Sequence, residues 1–255
     1  MGFIDPHIHT IFLGFEELRE MTDSGYETVV TLAFMPVQPR APESLADHFE
    51  QLFAEQERGK RIGLQVLVGV ALHPRNVPQK NIDKYLSIVE EYIEQAHVIG
   101  EAGLENATEH EVEALRKQIR LAKEYDKPII IHTPRSNKFA VTKRISEIIE
   151  QEGISGDLVI IDHLSPNPRI IDRVRDLNTY LGFTIQPGKS SIHDILYISS
   201  EYPDLTDRII INSDSGRDAY TPLAVKKAYE LLETEAGFKR AYQFVCLNAR
   251  KILRI

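Results

Sequence analysis

Several features of secreted, membrane-bound or nucleic-acid-coating proteins are missing from this 255-residue sequence. Its single cysteine, Cys246, allows no disulfide within the chain, which is typical of a reducing compartment. No apolar run reaches the length of a membrane span and no signal peptide is recognisable, so we expect a cytoplasmic location and no membrane partner. The formal net charge of −8 excludes a protein whose whole surface binds nucleic acid, although it permits a local basic site.

The chain shows no sign of a boundary between domains. No linker, low-complexity tract or change of composition interrupts it, and α/β barrels of this length form one domain. The composition is 42% hydrophobic and 27% charged, which is ordinary for a globular enzyme with a sizeable core. We therefore expect one domain over residues 1–255.

Short apolar runs rich in valine and isoleucine recur along the whole chain. The eight runs are GFIDPHIHT, ETVVTLAFMP, LQVLVGVALHP, HVIGEAGLE, KPIIIHTP, DLVIIDHL, TYLGFTIQP and RIIINSDSG. Such runs are typical of parallel strands buried on both faces, and segments with helical spacing lie between them. The alternation predicts an α/β fold, a (β/α)8 TIM barrel with its active site at the carboxyl ends of the strands. A doubly wound open sheet is the alternative.

The first run contains two histidines two positions apart, in the motif DPHIHT. In a strand, His7 and His9 point to the same face and Ile8 to the opposite one. Two imidazoles on one face supply half of a transition-metal site, but an accidental pair is common in a chain with nine histidines. The pair becomes informative if other strands supply further ligands.

Polar residues of the metal-binding type do recur at the ends of other runs. Strand 1 ends with His7 and His9, strand 3 with His73, strand 4 with Glu101, strand 5 with His132, strand 6 with His163 and strand 8 with Asp214. The other four histidines fall in helical segments or before a strand, where we expect structural or solvated roles. Because the carboxyl ends of barrel strands meet at one rim, this distribution predicts a metal site there.

The residue types indicate which metal and which chemistry. Imidazole nitrogens with carboxylate oxygens suit one or two divalent ions, with zinc expected and manganese, magnesium, cobalt or iron as alternatives. Glu101, on a middle strand, is placed to bridge two ions about 3.5–4 Å apart. Asp214, where the ring closes, can bind one ion and also take the proton from a metal-activated water.

The ordered motifs DPHIHT, ALHPRNVP, GEAGLE, PIIIHTP, IDHLSP, INSDSG and NARKIL resemble those of the TatD-related branch of the amidohydrolase superfamily. The resemblance covers nearly the whole chain, and GEAGLE and the HP after strand 3 are its most specific parts. It implies a TIM barrel that performs metal-dependent, nuclease-like phosphodiester hydrolysis. It also implies that His73 lies near the substrate, and that the metal ligands are His7, His9, Glu101, His132, His163 and Asp214.

Two loops depart from the family pattern. After His163 the family usually has an aromatic-Ser-Gly turn, whereas this chain reads LSPN. After Asp214 the usual APY is replaced by SGR. Since both loops shape substrate binding, the identity of the substrate does not carry over from the family.

Positive charge follows the strand ends. The loops after the strands carry Arg40, Arg75, Arg135, Lys138, Lys189 and Arg217. Guanidinium and ammonium groups around a metal centre favour phosphate or carboxylate substrates, although some of the 30 lysines and arginines will lie on any loop. We predict substrate contacts for Arg40, Arg135, Lys189 and Arg217 and, with the resemblance, for His73.

The sequence thus predicts a metal-dependent hydrolase of phosphoesters, with an anionic small molecule or a nucleic-acid end as substrate and Asp214 as general base. One alternative is hydrolysis of an amide, lactone or cyclic imide, which predicts a less basic pocket. A polymerase-and-histidinol-type phosphoesterase would need a terminal Asp-x-His, but Ser215 and Gly216 follow Asp214. A non-catalytic metal-binding protein is the alternative from another class, and the intact Asp214 argues against it.

Overall fold

Eight parallel strands form the centre of the computed structural model, which describes residues 2–216 and 222–255. Each strand pairs with the next one along the chain, so the order in the sheet is the order in the sequence. The strands are β1 (Phe3–Ile8), β2 (Tyr26–Leu32), β3 (Gln65–Val70), β4 (Val98–Gly103), β5 (Ile129–His132), β6 (Val159–Ile161), β7 (Tyr180–Thr184) and β8 (Ile209–Asn212).

Helices connect successive strands and cover the outside of the sheet. Within the described residues they are α1 (Phe15–Asp23), α2 (Glu43–Lys60), α3 (Ile82–Tyr92), α4 (Glu109–Glu124), α5 (Lys138–Glu152), α6 (Pro168–Arg175), α7 (Ile192–Glu201), α8 (Ala224–Ala236), α9 (Phe238–Tyr242) and α10 (Asn248–Leu253). A π-helical turn, Gln243–Leu247, joins α9 to α10. In the described part of the chain, none of these helices combines the length and the apolarity of a membrane span.

The first and last strands meet and nearly close the barrel. The backbone N–H of Asp214 donates to the carbonyl oxygen of His7 at 2.8 Å, and that of His9 donates to Ser215 at 2.8 Å. The buried carboxylate of Asp5 accepts a hydrogen bond from the Ser213 backbone at 3.1 Å. This seam between β1 and β8 brings residues from the two ends of the chain to one rim.

Apolar side chains explain why these segments become strands and helices. Almost every strand residue is buried, because isoleucines and valines face either the barrel interior or the covering helices. Helices such as α4 and α6 bury an apolar face and expose a polar face. The prediction of a TIM barrel is confirmed, and each predicted apolar run coincides with one strand.

Candidate metal centre

Imidazoles and carboxylates converge around a cavity of about 390 Å³ at the carboxyl ends of the strands. The structure brings together all seven side chains that sequence patterns placed at this rim: His7, His9, His73, Glu101, His132, His163 and Asp214. Glu101, on β4, lies at their centre. Two groups of candidate metal ligands share this carboxylate, and a third group joins His7, His163 and Asp214.

The first candidate group lies at the seam between β1 and β8. Nε2 of His7 is 3.4 Å from Oε2 of Glu101 and 3.5 Å from Oδ1 of Asp214. Nε2 of His9 is 3.3 Å from the same Asp214 oxygen. Donor atoms of His7, His9 and Glu101 all lie within 4.8 Å of one another, a spacing at which one cation can contact them together.

One buried atom tests whether a metal fits this group. Nε2 of His7 is buried, and within the described residues it makes no hydrogen bond despite the two carboxylates nearby. An unsatisfied buried polar atom is uncommon in a folded protein and calls for a specific explanation. A cation held between His7, Glu101 and Asp214 would satisfy it, so the donor set fits a divalent ion.

The second candidate group lies on β3, β4 and β5. Nε2 of His73 is 3.4 Å from Oε2 of Glu101, and Nδ1 of His132 is 2.6 Å from Oε1. The family resemblance implies that His73 lies near the substrate; in the structure it lines the cavity and also lies among the candidate ligands. His163 lies between the two groups, with Nε2 3.0 Å from Glu101 Oε1 and 4.0 Å from Asp214 Oδ2.

The position of Glu101 depends on a close approach between the backbones of β4 and β5. A Cβ atom at Gly103, whose φ is +145°, would lie 2.5 Å from the carbonyl oxygen of His132. Only glycine permits β4 to end so close to β5. The two glycines of the GEAGLE motif thus flank a carboxylate that must sit at the centre of the rim.

Left-handed backbone turns present two of the candidate ligands. His163 and Asp214 have φ values of 55° and 45°, which are uncommon for residues with a side chain. Gln186 holds the second turn, because its amide donates to the carbonyl oxygens of Ser213 and Asp214 at 2.6 and 2.7 Å. Such strain concentrates at functional sites, where surrounding contacts maintain it.

Hydrogen bonds at Nδ1 fix the orientation of three of the candidate ligand imidazoles. Nδ1 of His7 donates to Oδ2 of Asp162 at 2.5 Å, and Nδ1 of His9 donates to the carbonyl oxygen of Leu32 at 3.1 Å. Nδ1 of His163 is 2.7 Å from the hydroxyl of Thr184. In the first two histidines, Nε2 is therefore the atom left to face the cavity, as in metal sites whose ligands are oriented from behind.

Sequence reasoning missed Asp162. It is completely buried and accepts hydrogen bonds from the His163 backbone at 2.7 Å and from the Asn212 amide at 2.8 Å, besides His7. Burial opposes its ionisation, but His163 and His7 outweigh this and hold the pKa of Asp162 well below its usual value. The signal was an acidic residue inside the apolar run DLVIIDHL, which demands a buried partner.

The carboxylates and imidazoles at the seam stabilise one another's charges. Burial opposes ionisation of Glu101, but His7, His132 and His73 outweigh it and hold the pKa of Glu101 well below its usual value. Burial likewise acts to lower the pKa of His7, but Glu101 and Asp214 hold it well above the ordinary value. This mutual dependence marks a place where a cation's charge is favourable.

Two other imidazoles are neutral. Burial lowers the pKa of His73 to about 4, and burial together with Lys189 lowers that of His163 to about 4. The neutral imidazole is the form that binds a metal. Both side chains are therefore ready to act as ligands at neutral pH.

A further carboxylate, Glu105, joins the outer edge of the site and was not singled out from the sequence. Its Oε2 is 2.9 Å from Nε2 of His132, and its Oε1 accepts from Arg75 at 3.2 Å. Burial acts to raise its pKa, but His132 and Arg75 together lower it to about 2. Glu105 thus neutralises Arg75, one of the rim cations.

The basic side chains divide into those in the cavity and those outside it. Arg75, Arg135, Lys138 and Lys189 line the cavity. Arg40, a predicted substrate contact, instead lines a separate groove between the loops after β2 and β3. Arg217, the other rim arginine predicted after β8, lies outside the described residues.

Comparison with known proteins agrees with this geometry. Residues 4–237 match the family described as TatD related DNase. An uncharacterized metal-dependent hydrolase from Methanocaldococcus jannaschii is 37% identical over 216 residues, which is 84% of this chain and 84% of that protein. The crystal structure of a TatD-like protein from Archaeoglobus fulgidus has a TM-score of 0.81 and 33% identity, covering 99% of this chain and 100% of that one.

More distant solved structures share the fold alone. A phosphotriesterase homology protein from Escherichia coli, complexed with phosphate in its active site, has a TM-score of 0.75 at 15% identity over 99% of this chain and 98% of that one. A lactonase from Listeria monocytogenes has a TM-score of 0.74 at 16% identity and covers 99% of this chain and 94% of its own. With the family match over most of its length and a candidate metal centre at the strand ends, this chain belongs to the TatD-related family of metal-dependent hydrolases.

Proposed function

We propose that this protein hydrolyses phosphoester bonds in an anionic small molecule or at a nucleic-acid end. The observation that carries the proposal is the composition of one cavity, in which candidate metal ligands face Arg135, Lys138 and Lys189. Cations around a metal centre attract and orient phosphate oxygens. A neutral ester or lactone gains little from such a lining.

Two zinc ions are the proposed cofactors, because histidine nitrogens and carboxylate oxygens without cysteine suit zinc in a catalytic site. His7, His9, Glu101 and Asp214 would hold one ion, and His73, Glu101 and His132 would hold the other. His163, which is grouped with His7 and Asp214 and lies 3.0 Å from Glu101, would complete either set. When bound, such ions polarise a phosphoryl oxygen and make water more acidic. The buried, unpaired Cys246 is consistent with the reducing cytoplasm as the compartment.

The chain's own residues then orient the substrate and move a proton. Asp214 accepts the proton of the attacking water as general base, because its carboxylate reaches both the cavity and the seam imidazoles. Asp162 keeps His7 in one orientation. Arg135, at the mouth of the cavity, contacts the phosphate of the entering substrate.

The family comparison supports this reaction more than its rival. The matching family is described as related to DNases, and phosphate occupies the active site of the Escherichia coli protein that shares the fold. The lactonase from Listeria monocytogenes shares that fold as well, so the fold alone does not determine whether a phosphoester or a lactone is hydrolysed. The basic lining of this cavity favours the phosphoester.

A substrate panel on protein reconstituted with zinc or manganese tests the proposal. It should contain a phosphodiester, a phosphomonoester, a short single-stranded DNA, a neutral carboxylic ester and a lactone. We expect turnover of at least one phosphoester, lost with a chelator and restored by metal. Turnover restricted to the ester or lactone would replace the proposal with carbonyl hydrolysis, and no turnover with bound metal would favour a binding protein.

A further inference from the structure

The two carboxylate oxygens of Asp214 face different partners. Oδ1 lies on the seam side, 3.3 Å from His9 Nε2 and 3.5 Å from His7 Nε2. Oδ2 lies on the opposite side, where it accepts a hydrogen bond from Nζ of Lys189. Oδ2 is the oxygen farther from the two seam histidines, 4.0 Å from Nε2 of His163, and is thus the one suited to take a proton, but it is already held by an ammonium group.

The ammonium group of Lys189 lies near two partners. It lies in the loop after β7, where its N–H donates to Gln186 at 3.0 Å, and only 11% of its side chain is exposed. Besides Asp214, its Nζ is 3.3 Å from Nδ1 of His163. Lysine carries a compact charge on a flexible stem, so a rotation of the side chain is enough to reach another acceptor.

Lys138 is a second ammonium group on the same side of the cavity, and it is fixed. Its Nζ donates to the hydroxyl of Thr133 at 3.1 Å and to the carbonyl oxygen of His163. Within the described residues no carboxylate lies at ion-pair distance from it. A partly buried charge without a counter-ion is unfavourable, so this position favours an anion that enters from outside.

We propose that Lys189 exchanges Asp214 for a phosphoryl oxygen when the substrate binds, while Lys138 stays in place as the second ammonium contact. This rests on the proposed function and deepens it, because it makes these two lysines the residues that select anionic substrates. A phosphate gives Lys189 a new partner and frees Oδ2 of Asp214. A neutral ester offers no such partner, so Lys189 stays on Asp214.

The alternative is a purely structural role for both lysines. Lys189 would then hold Asp214 in its strained turn, and Lys138 would hold the loop after β6 through the carbonyl of His163. The two roles differ in a measurable way. If the role is structural, substitution lowers the metal content and the rates on both charged and neutral substrates. If the lysines contact the anion, substitution lowers only the affinity for phosphate and the rate on the phosphoester.

The experiment uses the full chain reconstituted with metal, as Lys189→Gln and Lys138→Gln. Lys143→Gln is the matched control, because Lys143 lies on α5 like Lys138 but is 57% exposed, with its Nζ 4.0 Å from Oε1 of Glu147. Metal content, the affinity for inorganic phosphate by calorimetry, and rates on a phosphodiester and a neutral ester are measured. In both cavity variants we expect phosphate affinity to fall about tenfold, as for loss of one charged hydrogen bond, with unchanged metal content.

The rates separate the roles further. Lys189→Gln should lower kcat/KM for the phosphodiester much more than for the neutral ester, and the control should match the wild type. Equal losses on both substrates, a loss of metal or an unchanged phosphate affinity would each overturn the exchange. If the wild type cleaves no phosphoester, the proposed reaction is wrong, whereas phosphate binding that depends on both lysines would still support the anion site.

Discussion

The two candidate metal groups share Glu101 but are supported in different ways. At the seam, His7 is held by Asp162, whose side chain is 0% exposed and accepts two further hydrogen bonds, from the His163 backbone and the Asn212 amide. On the other side, His132 is held by Glu105, which is 21% exposed and paired with Arg75, itself 42% exposed. Buried partners keep a ligand in one orientation more strictly than solvated ones. The seam group should therefore bind its ion more tightly.

Removing the seam imidazoles should have the largest effect. In His7→Ala with His9→Ala we expect the protein to lose one ion per chain and activity to fall by about 1,000-fold, since a catalytic ion contributes several kcal/mol. Metal analysis and steady-state rates check this. The control is His110→Ala with His193→Ala, which removes two exposed imidazoles. Retention of both ions would refute the assignment of the seam group.

The second largest effect is expected from replacing the proposed general base, Asp214, by a residue of the same size. Asp214→Asn keeps an oxygen for the ion but cannot accept a proton at neutral pH. Turnover should fall about 100-fold, the usual scale for a general base, while metal content falls only slightly. Single-turnover rates and metal analysis on one preparation separate the two effects. Near-normal turnover with both ions bound would assign the base to another residue.

A pair of variants tests the comparison between the two groups directly. Asp162→Asn should weaken the tighter ion about 10- to 100-fold, because it removes the charge that orients His7. Glu105→Gln should weaken the other ion about fivefold or less, since its support is partly exposed and screened. Stepwise metal titration by calorimetry measures both. If Glu105→Gln has the larger effect, the ranking of the groups is reversed.

The smallest effect concerns the rim arginines. Arg135→Ala should raise KM for an anionic substrate about fivefold with little change in kcat, as expected for a single exposed charge. Arg40→Ala is the matched control, because Arg40 lines the separate groove. Equal effects of the two substitutions would show that the charge acts at long range rather than by contact, and raised salt would then abolish both.

The barrel and the set of candidate ligands could be predicted because both depend on strand periodicity. Apolar runs mark buried parallel strands, and their carboxyl ends must meet at one rim. His7, Glu101 and His132 therefore had to come close together, whatever the loops did. The resemblance to the TatD-related family is confirmed by the family match, and the metal ligands themselves stay a prediction.

What could not be predicted depends on loops and on side-chain direction. Arg40 follows its strand by eight residues, and the course of that loop takes it away from the cavity. His73 lies only three residues beyond β3, and its short turn places it against Glu101. The ion pair between Lys189 and Asp214 joins two loops whose relative position no local pattern encodes.

The seam also sets the order in which the site can be assembled during synthesis. The first candidate group takes His7 from the start of the chain and Asp214 from near its end, more than 200 positions later. A nascent chain on the ribosome exposes the histidine pair long before the closing strand emerges, so early fragments have an incomplete set of ligands. Metal content should therefore distinguish chains in which the barrel is complete from truncated chains that lack the last strand.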